Sequence, residues 1–404
     1  MAVGKVDFPQ MNAVPGIKLG TTCAGIKQAV RDDLLLIDMV GGVTCAAVFT
    51  QNAFCAAPVV VARAHLQRKP RWLLVNSGNA NAGTGVQGML DTQASCDAVA
   101  ELNGSAAEQV LPFSTGVIGQ PLPIEKIVKG VSGAQENLIE DNWSKAAHAI
   151  MTTDTFAKGY SKIVEINGQK ITVTGISKGA GMIEPNMATM LGFIATDAKI
   201  PQGLLQKCLS AAVEQSFNRI TVDGDTSTND ACVLMASGQS TLPEIIEGSD
   251  AMIAFQAAID EACMHLAELI IRDGEGATKL IKINVQQASS ETEAVQIAKT
   301  IAHSPLVKTA FFASDPNWGR ILAAVGRAGV ERLEVEQIKI YLGDVCIVES
   351  GGCAASYTEE AGQEVMDQEE ITVTVVLGRG ESEQRVLTCD FSYDYVRINA
   401  EYRT

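Results

Sequence analysis

"KIVEINGQKITVTGISKGAGMIEPNMATMLGFIAT", residues 162–196, is the stretch on which the fold turns. Apolar and polar residues alternate on both sides of Asn167-Gly168, the strongest short-range signal for a β-hairpin. Two paired strands are therefore expected across that turn. Beyond them, Gly179, Gly181 and Pro185 break regular structure and permit a strained turn. An apolar run then resumes at Met190-Leu191-Gly192-Phe193-Ile194. Between turn and run stand a small residue and a hydroxyl, Ala188-Thr189.

That hydroxyl is either a satisfied structural group or a nucleophile at the edge of a regular element. Two features favour the nucleophile. The turn upstream can distort a peptide bond, and Ala188 leaves the carbonyl before Thr189 sterically open. Attack of the Thr189 hydroxyl on that carbonyl, an N-to-O acyl shift and hydrolysis would cut the chain there. Thr189 would then carry a free α-amino group, which ordinarily titrates at about 7.7–8.0, so roughly a tenth of it is unprotonated at neutral pH. A threonine with its own amine needs no histidine as base.

Working outward, 404 residues are too many for one ordinary core, so two or three lobes are expected. An apolar content of 47% with 19% charged residues describes a globular chain with a large interior. Only 5% is aromatic, which suits tightly packed α/β layers. The net charge of -16 argues against nucleic acid and anionic membranes as partners. No window is long and apolar enough for a membrane span, and "MAVGKVDFPQMNAVPG" lacks signal-peptide character. The ten cysteines are scattered without a C-x-x-C pair, which reads as buried free thiols in a reducing cytoplasm.

The N-terminal third reads as short strands: "DLLLIDMV", "TCAAVFT", "APVVVARAHL" and "RWLLVNSG", with "NSGNANAGTG" as a loop. Helices are expected from near Asp91 to Asn103, from about Pro123 to Val131, and through "NWSKAAHAIMTT". "GLLQKCLSAAVEQSF" and the long "DAMIAFQAAIDEACMHLAELIIRDG" have helical spacing. From about Thr278 a smaller α+β unit follows. It consists of the strand "KLIKINVQ", one helix over "TEAVQIAKTIAHSPLVKTAFF", and the strands "IKIYLG", "VCIVES" and "ITVTVVLG". "YTEEAGQEVMDQEE" reads as a solvated helix face.

Metal and phosphate chemistry have little support. The four histidines, His65, His148, His265 and His303, lie far apart and form no ligand spacing. "VDGDTSTND", which ends at Asp230, lacks the glycine and glutamate that an EF-hand loop needs, and reads as a hydrogen-bonded loop. "GISKGAGM" and "RDGEGATK" match no phosphate-binding loop. "STG" at residues 114–116 reads as an ordinary turn.

Taken together, "KGAGMIEPNMATML", "VNSGNANAGTG", "STGVIGQPLP", "TTDT", "VDGDTSTND", "SDPNWGRILAAVGRAG" and "YVRINAEYRT" make the whole chain resemble the glutamate N-acetyltransferase (ornithine acetyltransferase) family of arginine biosynthesis. The resemblance implies an α/β (α+β) protein with a layered DmpA/ornithine-acetyltransferase-like fold. It implies scission between Ala188 and Thr189 into an α chain, 1–188, and a β chain, 189–404, whose residues from about 280 to 404 form the smaller domain. Two cleaved precursors would assemble as an α2β2 heterotetramer in the cytoplasm. The implied reaction moves acetyl from N-acetylornithine to glutamate through an acetyl-Thr189 intermediate, without a cofactor. Acetyl-CoA serves some members as a further acetyl donor. Thr115 and Gly116 match the oxyanion hole, and Thr152, Lys178, Thr189, Glu275, Asn399 and Thr404 the substrate contacts. Lys178 is expected to face a carboxylate, and Glu275 or the carboxylate of Thr404 an amine.

Two other classes fit the same residues less well. A self-processing aminopeptidase or amidohydrolase with an N-terminal nucleophile would pass the acyl group to water. A non-catalytic binding protein would keep the chain intact with Thr189 structural.

Overall fold

The structure, a computed structural model, describes residues 3–4, 6–27, 31–184 and 190–401. In chain order its first strands are β1 (Ile17–Thr22), β2 (Leu34–Met39), β3 (Thr44–Phe49), β4 (Trp72–Asn79) and β5 (Val110–Val117). The hairpin β6 (Lys158–Ile166) and β7 (Gln169–Lys178) follows, then β8 (Leu191–Thr196) and β9 (Ala231–Ala236). The last are β10 (Leu280–Ala288), β11 (Lys339–Leu342), β12 (Val345–Glu349), β13 (Gly352–Cys353), β14 (Glu370–Val376) and β15 (Ser382–Cys389). They form three sheets: β1-β2-β4-β5, β3-β9-β8-β7-β6 and β13-β12-β11-β14-β10-β15.

The first two sheets stack face to face. β2 shows why: all six of its residues are buried, because a strand's alternate side chains meet two different cores. Leu35 and Ile37 point inward, into a cluster shared with Leu191, Phe193 and Val233 of the second sheet. Phe113 and Phe193 meet edge to face there, 5.3 Å apart. Leu34 and Leu36 point outward, against Cys96, Val99, Ile127 and Val131 of the helices Gly85–Asn103 and Ile124–Glu136. On the far side, Ala46, Val48, Ile194 and Leu234 pack under the helices Gln202–Gln215 and Asp250–Arg272. Helix, sheet, sheet and helix give four layers, a mixed α/β architecture.

The third sheet has its own apolar core with the helices Glu291–Ala302, Pro305–Phe312 and Trp318–Gly326. Leu280, Leu387 and Cys389 nevertheless join the core under helix Asp250–Arg272, and Ile220 bridges to Leu387.

The hairpin turn lies at Asn167-Gly168, with φ of +52° and +76°. Helix Asp250–Arg272 matches its spacing, and Ser249 caps it by accepting from Met252 N. Elsewhere local density misleads. "APVVVARAHL" is the helix Ala57–His65, not a strand; Pro58 lies in its first turn, where a proline costs no hydrogen bond. The helix expected from Asp91 starts at Gly85, inside the stretch read as a loop, and β4 takes the other end of that stretch. Trp143–Ala149 stops short of "IMTT". The single helix expected over 292–312 is two, parted before Pro305, whose ring and missing N–H end the first. "STG" is no turn but the end of β5. Among the described residues no disulfide joins the cysteines; six of the ten are buried, while Cys23 and Cys353 are exposed.

Candidate active site

β5 and β7 belong to different sheets, and their C-terminal ends meet where Lys178 Nζ donates to Thr115 Oγ1 at 2.9 Å. A cavity of about 280 Å3 opens at this point. It is lined by Thr115, Gly116, Thr152, Lys178, Glu275 and Asn399, with Ala80, Thr153 and residues 117–118, 180–182 and 227–229. These six are the described residues among those the resemblance implies. Ala188, Thr189 and Thr404 lie outside the described residues.

Each lining group has a local reason to be there. Gly116 has φ +133°, and a Cβ on it would stand 2.3 Å from the Gly78 carbonyl carbon and 2.6 Å from Asn79 N. Only glycine lets β5 run this close to β4, whose pairing slips at Gly78 and Asn79. Thr115 is buried, and its hydroxyl accepts from Lys178. Its own proton is thereby turned away from the ammonium. Lys178 is the last residue of β7 and pairs in register with Leu191, two residues beyond Thr189.

Glu275, also lining the cavity, is buried, and its Oε2 accepts from Asn399 Nδ2 at 2.9 Å. Its backbone N donates to Ala180 O at 2.8 Å. The carboxyl fills the space over Gly181, where a Cβ would come within 2.4 Å of it. Asn399 arrives on the helix Tyr393–Ala400, which docks because Ser392 Oγ donates to Gly276 O at 2.6 Å. Burial pushes the Glu275 carboxyl above the usual carboxylate range, against the pull of Thr153, Asn399 and Lys178. Burial also lowers the Lys178 ammonium, opposed by Asp154 and Asp230. One cationic and one anionic side chain thus line the same cavity.

A buried ion cluster fixes the floor. Asp154 accepts from Lys158 Nζ at 2.6 Å, and from the backbone N of Gly179 and of Thr152 at 2.8 Å each. Lys158 also reaches Asp273 at 2.5 Å, with both side chains almost wholly out of solvent. Burial raises both carboxyls, but Lys158 and Lys178 together hold Asp154 well below the usual range. Asp273 stays raised despite Lys158. Replacing Lys158 with methionine leaves two buried carboxylates without their shared ammonium, and is expected to remove about 3–5 kcal/mol of stability. A lowered urea midpoint for Lys158→Met checks this; an unchanged midpoint would refute it.

Sequence reasoning missed Asp154, although "TTDT" contains it, and missed Asn229. The Asn229 amide donates to Ala80 O at 2.6 Å and Ser114 O at 2.9 Å, tying the two sheets together beside the cavity. Asp230, next along, is buried with Oδ2 lacking a hydrogen-bond partner. Burial drives its carboxyl well above the usual range. Among the described residues, no group of three or more His, Cys, Asp or Glu could hold a metal ion. No described helix is long and apolar enough to cross a membrane.

The model of the ArgJ family matches residues 18–404 of this chain. The chain belongs to the ArgJ family. Its similarity to the arginine biosynthesis bifunctional protein ArgJ of Methylococcus capsulatus is 63% identity, over 97% of this chain and 96% of that one. The crystal structure of the Bacillus halodurans ArgJ is 43% identical, with a TM-score of 0.50, over 52% of this chain and 98% of that one. The Mycobacterium tuberculosis ornithine acetyltransferase, solved with ornithine, is 34% identical with a TM-score of 0.39, over 44% of this chain and 94% of that one. Within the ArgJ family frame, the Lys178–Thr115 pair and the Glu275–Asn399 pair both line the cavity.

Proposed function

We propose that this ArgJ-family chain cuts itself between Ala188 and Thr189, and then carries acetyl from N-acetylornithine to glutamate on the Thr189 hydroxyl. The observation that carries the reading is one cavity lined both by the Lys178–Thr115 pair and by the Glu275–Asn399 pair. An acetylated diamino acid has a carboxylate and a free amine, and Lys178 and Glu275 offer each a counter-charge. Family membership supports the acetyl transfer.

In self-cleavage, Thr189 Oγ bonds to the Ala188 carbonyl carbon as the C–N bond breaks, and the hydroxyl proton ends on the departing nitrogen. Water then hydrolyses the ester, leaving a carboxylate on Ala188 and a free amine on Thr189. In transfer, that amine accepts the hydroxyl proton while Oγ attacks the acetyl carbonyl. Thr115 Oγ–H and Gly116 N–H donate to the tetrahedral oxygen, and each such donor is typically worth about 3–4 kcal/mol of barrier. Ornithine leaves with the proton, glutamate enters, and its amine takes the acetyl by the reverse steps. No cofactor is required; acetyl-CoA is a second donor to be tested directly. The active assembly is an α2β2 heterotetramer in the cytoplasm, where free thiols such as those here persist.

Intact mass spectrometry before and after mixing with N-acetylornithine tests the reading. Two fragments and an acetyl adduct on the C-terminal one are expected, and an active, uncut chain would overturn it. The Glu275 carboxylate predicts a pH effect. Its pKa is raised, so its hold on an amine is present above that pKa and fades as pH falls through it. Glu275→Gln is expected to raise the KM for N-acetylornithine about tenfold, a loss typical of a hydrogen bond to a charged group, and to flatten that acid limb. An unchanged KM, or an acid limb that persists, would remove Glu275 from the amine site.

A further inference from the structure

One continuous stretch, residues 221–231, grips both flanks of the segment that carries the Ala188-Thr189 junction. Upstream, Asp223 takes two backbone amides, Met182 N at 2.7 Å on Oδ2 and Ile183 N at 2.9 Å on Oδ1. Ile183 O accepts from Val222 N at 2.8 Å and from Thr221 Oγ1 at 2.9 Å. Glu184 O accepts from Thr226 Oγ1 at 3.1 Å. Downstream, Ala231 N donates to Met190 O at 3.0 Å, just ahead of the first β8–β9 pair, Leu191 with Ala231. The Glu184 carboxylate is further tied to Lys299 at 3.0 Å and to His303. Met182 holds φ +54°, a left-handed conformation that a non-glycine residue keeps only when its surroundings impose it. The two bonds to Asp223 impose it here.

We propose that residues 221–231 are a template for self-cleavage, and that Asp223 and Thr226 are positioning residues that hold residues 182–184 at a fixed distance from Met190. The inference rests on the self-cleavage reading. Before the cut, Thr189 has an amide and no free amine, so the precursor lacks the proton acceptor that the mature protein has. Geometry must supply more of the rate. The bond from Oγ to the Ala188 carbonyl carbon forms as the C–N bond breaks, with the proton passing from oxygen to nitrogen and no further reactant. Such an attack becomes frequent when the two atoms are held about 3–3.5 Å apart, and a chain segment with both flanks held in place reaches that separation far more often than one with a single flank held. This also gives "VDGDTSTND" a role that neither a metal loop nor the substrate contacts supply.

The test is a time course of full-length chain turning into fragments, for wild type, Thr226→Val, Thr226→Ser and Asp223→Ala. Thr226→Val keeps the shape and removes the donor to Glu184 O, and is expected to slow conversion about tenfold; Asp223→Ala, which frees two amides, is expected to slow it about a hundredfold. Thr226→Ser keeps the hydroxyl and is expected to cleave at the wild-type rate. Once Thr226→Val has been fully cut, its kcat for acetyl transfer is expected to equal wild type, because the template acts before the cut. Should Asp223→Ala fail to fold, the Thr226→Val and Thr226→Ser pair decides alone. Folded Thr226→Val that cleaves at the wild-type rate would overturn the template, as would equal losses in cleavage and in kcat. A wild-type chain that never cleaves would instead overturn the reading on which it rests.

Discussion

Thr189→Ala is expected to run as a single chain of 42.7 kDa, with no fragments, no acetyl adduct and no measurable transfer. The substitution removes the atom that both reactions share. Without Oγ there is nothing to attack the Ala188 carbonyl, so the amine that serves transfer is never released. Other groups of the cavity remain and can still bind substrate. Removing a covalent nucleophile from an assembled site commonly costs about 10^4-fold or more in kcat, and here the maturation step is lost as well. Thr189→Ser keeps a hydroxyl and is expected to retain cleavage and part of the activity. Intact mass and an acetyl-exchange assay on both variants decide the matter. Fragments or an adduct from Thr189→Ala would mean that another residue is the nucleophile.

Gly116→Ala is the second large effect, and its cause is visible in the backbone. An alanine Cβ would sit 2.3 Å from the Gly78 carbonyl carbon, which no side-chain rotation can relieve. The left-handed φ of +133° adds strain. The ends of β4 and β5 must move apart, and the amide at 116 moves with them. Loss of one oxyanion donor typically lowers kcat about 10^2–10^3-fold, and that is the expected loss here with a nearly unchanged KM. Thr115→Val, which removes the hydroxyl that Lys178 orients, should give a loss of the same order without the backbone strain. Single-turnover rates with N-acetylornithine separate chemistry from binding. A wild-type kcat in folded Gly116→Ala would remove 115–116 from the oxyanion site.

The sequence carries the hairpin at Asn167-Gly168 because a turn with two positive φ values has a strong local signature. It carries the helix Asp250–Arg272 because a long apolar period is hard to mistake. It misleads at Ala57–His65, where a dense run of valines looks like a strand and only packing between two cores makes it a helix. "STG" looks like a turn because its meaning lies in the partner strand: Gly116 is glycine on account of Gly78, thirty-eight places earlier in the chain. The cavity was legible only through resemblance. Its lining comes from Ala80 and from stretches around 115, 152, 178, 228, 275 and 399, which no single window brings together. Asp154 escaped because a buried aspartate bound to a lysine four residues on looks, in sequence, like a surface ion pair.

The order of the five-stranded sheet, β3-β9-β8-β7-β6, has a consequence for the life of the mature protein. β3, β6 and β7 precede the proposed scission point, and β8 and β9 follow it, so the fragments interlock in one sheet through β7–β8 and β3–β9. Neither piece can leave without exposing a row of unpaired amides. Denatured mature material would have to reassemble by collision what the uncut chain assembles by tether. Such an enzyme inherits its shape from a precursor that no longer exists, and its durability is a matter of how slowly it opens, not of how readily it re-forms.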